Sequence, residues 1–528
     1  MDAIARAIKK NWHISNNVEL NQKTWDDFDK ELVDKTLVLF GIGDGADFYY
    51  YKYGETASAD IIIDNNSELH GIEAQKIISE AIDEKHKNIK IGDISCLEKL
   101  ESEDIVFLVC SLKYYTEIAQ QLLDLGYKHI FALLPMEANE RKWNGVENYC
   151  AREEVYKKEA CKEKISENKI VVYSMFDFAG HGKAIVNQLL LRDENFDIVW
   201  LVDSLNVSVP KGVRIVWKRN RRQCYMEMET AKVWICDTGI PDKYIKRSGQ
   251  VYIQVKHWAS ITLKNFGFDL ARARQDETML KFCEYDSSLI DYIVVGSEFD
   301  EKTCRSGFEF SGEFLHAGSP RTDILFNASD IREEVREKYG LSNQAKILLY
   351  APTFRCKNTR EYSPDLVRAD LDFITTKAAL EEKFGGTWYI FLRLHPVVAK
   401  QSKNIEKPPC VIDVSEYFDS EELIAATDVM ITDYSSIMFE PAFVKKPVFL
   451  FTTDRDAYVD EERKLLIDYD TLPFPIAESN EELARVIEQF DEQKYVEEVT
   501  SFLDSYGVHE DGHASERVAE FISDLIGK

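Results

Sequence analysis

The side chains best suited to chemistry in this sequence stand at the ends of short apolar runs. His257 closes the run Tyr252-Ile-Gln254-Val-Lys-His257-Trp258. Imidazole titrates near neutrality, so a histidine at that point can take a proton from an attacking hydroxyl. His181, in Phe178-Ala-Gly180-His181-Gly182-Lys183, is the rival, set in a glycine loop at an expected helix start where it can meet an acceptor or donor phosphate. Arg393-Leu-His395-Pro396 ends another run, with Arg393 and His395 on one face by the period of two. His395 can donate to a phosphate oxygen; its plainer reading is a structural histidine before a proline turn.

In Val429-Met-Ile-Thr432-Asp433-Tyr434-Ser435-Ser436 an expected strand passes into a helix start. Two hydroxyls, the unpaired N–H groups and the helix dipole together suit a phosphate. Glu440, one turn beyond Ser436, is within reach of a ribose hydroxyl, or is simply a solvated helix carboxylate. Tyr350-Ala-Pro-Thr353-Phe-Arg355 puts Thr353 and Arg355 in a loop above a strand, and Gly318-Ser-Pro320-Arg321-Thr-Asp323 is a turn carrying an arginine. Guanidinium groups match phosphate geometry, although a lone loop arginine more often makes a surface ion pair.

Two further features stand apart. Lys211, Arg214, Lys218, Arg219, Arg221 and Arg222 fall within twelve residues that hold no acid. They suggest an anionic partner, such as a phosphate polymer or anionic lipid headgroups, against the alternative of a solvated strand and loop. Gly41, Gly43 and Gly45, with Asp64 after the next strand, approximate a dinucleotide fingerprint. The third glycine falls one residue early, so the alternative is close packing of helix on strand.

These residues need strand ends to carry them, and the chain supplies strands and helices in alternation. Thr36–Phe40, residues 59–63, 104–109 and 129–134 read as strands of an N-terminal Rossmann-like domain over 1–150. A charged segment, 151–169, reads as a linking helix. Residues 170–330 and 331–528 read as two further Rossmann-like α/β domains facing each other, with ligands at the carboxyl ends of their strands. Helices are expected at about 365–384, 420–427, 436–446 and 480–491.

Composition narrows the function classes. The chain has 528 residues, 65 basic and 93 acidic side chains, and a formal charge of -28, which argues against nucleic-acid binding. Ten dispersed cysteines with no CxxC pair read as reduced thiols of a cytosolic protein, not as a zinc or redox site. No apolar run is long enough to span a membrane. Met1 to Trp12 reads as a short surface helix, or as an amphipathic one at a membrane.

Over roughly 165–528 the sequence resembles the CDP-glycerol glycerophosphotransferase family, the teichoic acid polymerases and primases. The resemblance rests on Gln254-Val-Lys-His257 with Leu263-Lys264, Gly318-Ser-Pro-Arg321-Thr-Asp323, Leu349-Tyr-Ala-Pro-Thr-Phe-Arg355 and Arg393-Leu-His395. It continues through Asp413-Val-Ser-Glu-Tyr417, Ile431-Thr-Asp-Tyr-Ser-Ser436, Lys446-Pro447-Val448 and Asp511-Gly-His-Ala-Ser-Glu-Arg-Val518. It implies a GT-B-like architecture. It also implies transfer of glycerol or ribitol phosphate from a CDP-activated donor to a hydroxyl of a teichoic-acid-like, phosphate-rich or lipid-linked acceptor, with release of CMP. His257 stands where the family has its proposed base, and His395, Ser435 and Ser436 where the donor diphosphate is held. Ser415, Thr353, Arg321 and Glu440 are weaker transfers.

The family's usual Trp-His-Gly is Lys256-His257-Trp258 here, with two extra residues before Leu263, so the acceptor side is expected to differ. No cofactor is required on this reading, although magnesium can accompany the diphosphate. Any membrane attachment would be peripheral, at the inner face of the cell membrane. The rivals are a nucleotide-sugar GT-B glycosyltransferase, a non-catalytic scaffold of a capsule assembly complex and, more distantly, a Rossmann dehydrogenase.

Overall fold

The computed structural model describes residues 20, 22–54, 58–140, 152–192, 195–241, 243–270, 273–355, 370–395, 398–399, 402–403, 405–455 and 465–527. Met1 to Trp12 lies outside them. Among the described residues no helix is long and apolar enough to cross a membrane.

The chain divides into two compact units. The first comprises 1–171, 197–232 and 247–249, and the second 172–196, 233–246 and 250–528. The first holds strands β1 (Thr36–Phe40), β2 (Ile61–Ile63), β3 (Ile91–Gly92), β4 (Ile105–Val109) and β5 (Ile130–Ala132). They form a parallel sheet in the order β3-β2-β1-β4-β5. Strands buried on both faces read as unbroken apolar runs, and β4, Ile-Val-Phe-Leu-Val, is buried throughout. The strand β6 (Ser166–Tyr173, in this unit as far as Val171) begins within the charged segment. Next come β7 (Asp197–Val202) and β8 (Val213–Trp217), paired in parallel.

The second unit contains β9 (Ala231–Cys236, from Val233 on), β10 (Val251–Gln254), β11 (Tyr292–Val295) and β12 (Glu313–His316), parallel neighbours in that order. It also contains β13 (Lys346–Ala351), β14 (Trp388–Leu392), β15 (Val411–Asp413), β16 (Val429–Thr432), β17 (Val448–Phe451) and β18 (Ile476–Ala477). These six form a parallel sheet in the order β15-β14-β13-β16-β17-β18. One apolar cluster, from Ala259 to Val508, fills the space around this sheet, and another surrounds the first sheet. The α/β class with parallel sheets is as the sequence indicates.

Several boundaries differ from the sequence reading. The segment 151–169 is helical only over Arg152–Ala160, and β6 begins at Ser166. Strand geometry survives among charged residues because Lys169 pairs with Glu227 at 2.8 Å and Glu167 with Lys232 at 2.7 Å. The helix expected from 365 runs over Phe373–Phe384, capped by Asp372, while 365–369 lie outside the described residues. The helix expected over 436–446 is a 3-10 turn, Ser436–Met438, followed by a short α-helix, Phe439–Phe443.

Candidate active site

The loop after β10 carries His257. Lys256, just before it, has the left-handed φ of 60°. That backbone costs a non-glycine residue on the order of 1–3 kcal/mol and persists only where its surroundings hold it. Here the Lys256 ammonium is buried against Asp300, and its N–H donates to Gln254 Oε1 at 2.8 Å. The turn leaves His257 exposed while its neighbours on both sides are buried. His257 Nδ1 lies 3.3 Å from the Asp237 carbonyl at the end of β9. A carbonyl only accepts, so the proton belongs on Nδ1 and the lone pair on Nε2.

His181 is buried. Its Nε2 lies 3.0 Å from the Trp258 carbonyl, and its Nδ1 accepts the Arg321 N–H at 3.4 Å. Burial, with Arg321 and Lys256 nearby, holds its pKa well below the usual histidine value. Both ring nitrogens are thus engaged with the protein, and His181 supports the His257 loop instead of rivalling it.

His395 ends β14. Its ring lies 4.5 Å from that of Phe354. Burial, reinforced by Lys264 and Arg393, lowers its pKa to about 4, so it is neutral at pH 7. Arg393 donates to the Tyr417 carbonyl at 2.5 Å. Lys264 and Arg393 give this strand end a positive character, beside a neutral His395. Ser415 is buried, its hydroxyl accepting from Leu394 N–H at 3.0 Å, and so braces the end of β14.

The serine pair divides its work. Ser435 caps the 3-10 turn, accepting from Ile437 N–H at 3.4 Å. Ser436 accepts from Leu263 N–H at 3.0 Å and lies 3.1 Å from the Thr262 hydroxyl. It therefore fastens the turn to the segment that follows His257. Asp433 is buried and accepts from Thr353 N–H at 2.8 Å and Tyr434 N–H at 2.7 Å. Arg355 pairs with Asp433 at 2.9 Å and grips Asp454 through two nitrogens, at 2.7 and 2.9 Å. Thr353, Arg355 and Asp433 thus form one brace joining the ends of β13 and β16.

The largest departures concern Arg321 and Glu440. Expected at separate points around a donor, they form an ion pair buried in the unit, with Glu421 3.1 Å from Arg321 Nε. Glu440 is no solvated carboxylate: burial raises its pKa, and Arg321 opposes that rise. Gly318, with φ of 95°, leaves room for Glu510, since a Cβ there would stand 2.9 Å from the Glu510 carboxylate. Glu510 in turn accepts from the Ser260 hydroxyl and from Ser319 N–H at 3.0 Å. Lys183 binds Asp419 and Glu422, each at 2.6 Å. Sequence reasoning missed Glu421, Glu510, Ser260, Asp237 and this lysine cluster. Asp419, Glu421 and Glu422, opening a helix, were the one available signal.

In the first unit the basic run is largely neutralised from within, against its reading as an anion surface. Arg214 pairs with Asp197 at 2.8 Å and Glu227 at 2.9 Å, and Lys218 with Asp203 at 2.6 Å. Arg221 reaches Asp47 and Glu153, Arg222 reaches Glu159, and Arg219 lies over the Trp217 ring. Lys211 belongs to the same run, in the turn before β8.

The N-terminal glycines follow the packing alternative. A Cβ on Gly45 would stand 2.0 Å from the Cys110 carbonyl, whereas one on Gly43 would meet nothing within 4 Å. Gly41 takes the left-handed φ of 93° at the strand end. Asp64 turns back to accept from Ile42 N–H and Asn66 N–H, both at 2.8 Å. Asp44 and Asp47 occupy the first turn of the helix that follows, which disfavours a pyrophosphate there. Among the described residues, no group of three or more His, Cys, Asp or Glu is gathered to hold a metal ion. Eight of the cysteines are free thiols.

The chain is 28% identical over 381 residues to a teichoic acid poly(glycerol phosphate) polymerase of Staphylococcus epidermidis, covering 70% of this chain but only 52% of that protein. It thus spans about half the length of that relative. A polymerase of the same description from Bacillus spizizenii is 26% identical, with 67% of this chain and 90% of that one covered. A teichoic acid ribitol-phosphate primase from the same organism is 30% identical over 57% of this chain and 76% of its own. The solved wall teichoic acid polymerase TagF superposes with a TM-score of 0.62 at 26% identity, covering 72% of this chain and 96% of that one. TagF has also been solved with single histidines replaced and after soaking with CDPG. The model of the CDP-glycerol:poly(glycerophosphate) glycerophosphotransferases matches residues 155–524, and the chain belongs to that family.

Proposed function

We propose that this protein transfers a polyol phosphate, glycerol or ribitol phosphate, from a CDP-activated donor to an acceptor hydroxyl. The observation that carries this reading is His257: exposed at a strand end, on a strained turn, with Nδ1 held by a carbonyl. Nε2 takes the proton of the acceptor hydroxyl as its oxygen attacks the β-phosphorus. The bond from that phosphorus to the bridging oxygen breaks, and CMP leaves with the bridging oxygen. Charge grows on the leaving phosphate, and His395 with Lys264 and Arg393 supplies donors and positive charge for it. Ser435, at the head of the 3-10 turn, offers a hydroxyl and adjacent N–H groups. Arg321 and Arg355, being held by carboxylates, are assigned to support and not to direct phosphate contact.

The acceptor is read as a teichoic-acid-like polymer terminus. Magnesium dependence is checked by adding EDTA to the assay. The decisive experiment is calorimetric titration with CDP-glycerol, CDP-ribitol, CMP and UDP-sugars, repeated on Ser435→Ala/Ser436→Ala. Cytidine-selective binding weakened in the double variant is expected. Preference for UDP-sugars overturns the donor assignment and favours a glycosyltransferase.

A further inference from the structure

We propose that Arg321 is a positioning residue for the transfer, joining the donor turn to the loop that presents His257. The proposal rests on the reading of His257 as the base. Arg321 lies in the 3-10 turn Pro320–Leu325, with its side chain 11% exposed. Its Nη1 donates to the His257 carbonyl at 2.8 Å, and its Nη2 to Glu440. Its backbone N–H donates to His181, which in turn holds the Trp258 carbonyl. Two successive carbonyls of the histidine loop are thus fixed by one residue, the first directly and the second through His181.

The other hand of Arg321 grips the donor side. Glu440 lies four residues after Ser436, and Ser436 itself holds Leu263 and Thr262. The stretch 436–440 therefore touches the histidine loop at both ends, through Arg321 before it and through Ser436 after it. Glu440 Oε2 has no hydrogen-bond partner among the described residues, so the tie to Arg321 is the hydrogen bond that orients this carboxylate. A planar guanidinium can serve a carbonyl and a carboxylate at once, because its five donors are fixed in a fork. An ammonium keeps the charge but not that geometry.

The test compares the full chain, Arg321→Lys, His257→Ala and the double variant, reading CMP release from CDP-glycerol onto a soluble acceptor ending in glycerol phosphate. Arg321→Lys is expected to lower kcat by roughly 10- to 100-fold with the donor KM within about threefold, the pattern of an interaction needed only at the transition state. In the His257→Ala background the same change is expected to have almost no further effect, because residues acting as one unit are not additive. A rise in KM alone, unchanged kcat, or losses that multiply in the double variant overturn the proposal. Near-normal turnover by His257→Ala is a separate result: it removes the base assignment itself, and the proposal with it. Where Arg321→Lys does not fold, Glu440→Gln goes through the same cycle. It keeps the side-chain shape, weakens the grip on Nη2, and must show the same non-additivity with His257→Ala.

Discussion

The five-stranded sheet of the first unit and the six-stranded sheet of the second share one plan: parallel strands with the earliest at the centre. They use their strand ends in opposite ways. In the first, Asp64 folds back onto the backbone N–H groups of Ile42 and Asn66, and two aspartates open the next helix. In the second, the ends of β14 and β16 present Arg393, His395 and the serine pair, while Arg355 is tied to Asp433 and Asp454. A Rossmann-like topology offers a site at its strand ends but does not fill it. Which polar groups are consumed by their own loop decides whether a site remains.

The sharpest way to break that contrast is to exchange consequences between the two regions. His257→Ala should lower turnover by ~10²–10⁴-fold, the usual share of a general base. Asp64→Asn should leave turnover within about twofold, since it lies in the loop that serves itself. Rates of CMP release check both, and a large loss from Asp64→Asn would restore a nucleotide role to the first unit.

Next in size is Asp300→Ala. It strands the buried Lys256 ammonium, and removing one partner of such a pair costs about 3–5 kcal/mol. Denaturant unfolding should show the loss in the second unit, with the His257 loop released as well. Intact stability would mean that the pair does not hold the turn.

A smaller effect separates the glycines. Gly45→Ala pushes a methyl into the Cys110 carbonyl and should destabilise the first unit by roughly 1–3 kcal/mol. Gly43→Ala, with open space around it, should stay within about 0.5 kcal/mol. Equal melting temperatures for the two variants would contradict the packing role.

A further expected effect is on pH dependence. His395 has a pKa of about 4 when folded, against 6.5 for the free side chain. The unfolded chain binds a proton that the folded site refuses, so stability from this group is complete above 6.5 and declines as pH falls towards about 4. His395→Gln should flatten that part of the melting profile. An unchanged slope would mean that the folded site does not lower the pKa of the ring.

Much of this was legible in the sequence. Unbroken apolar runs such as Thr36–Phe40 and Val429–Thr432 could only be buried parallel strands, and they are. His257, His395 and Ser435 fall at strand ends as read, because a strand's last residue fixes where the next side chain emerges. The pairings were not legible. Arg321 meets Glu440 across 119 residues and Arg355 meets Asp454 across 99, and no local period records such distances. Arg321 and Arg355, which looked suited to phosphate, are matched by carboxylates instead. The basic run 211–222 misled for the same reason, since its acids lie outside it in sequence. The charged stretch 151–169 reads as helix by composition, yet its last residues pair their charges across neighbouring elements and run as a strand.

The Glu510 contacts also bear on the order of assembly. That carboxylate closes on Ser260 and Ser319, which precede it by 250 and 191 residues. A ribosome that has already delivered His257 must still make nearly half of the polypeptide before this fastening can form. The Ser260 end of the histidine loop is therefore fastened only after residue 510 has left the exit tunnel.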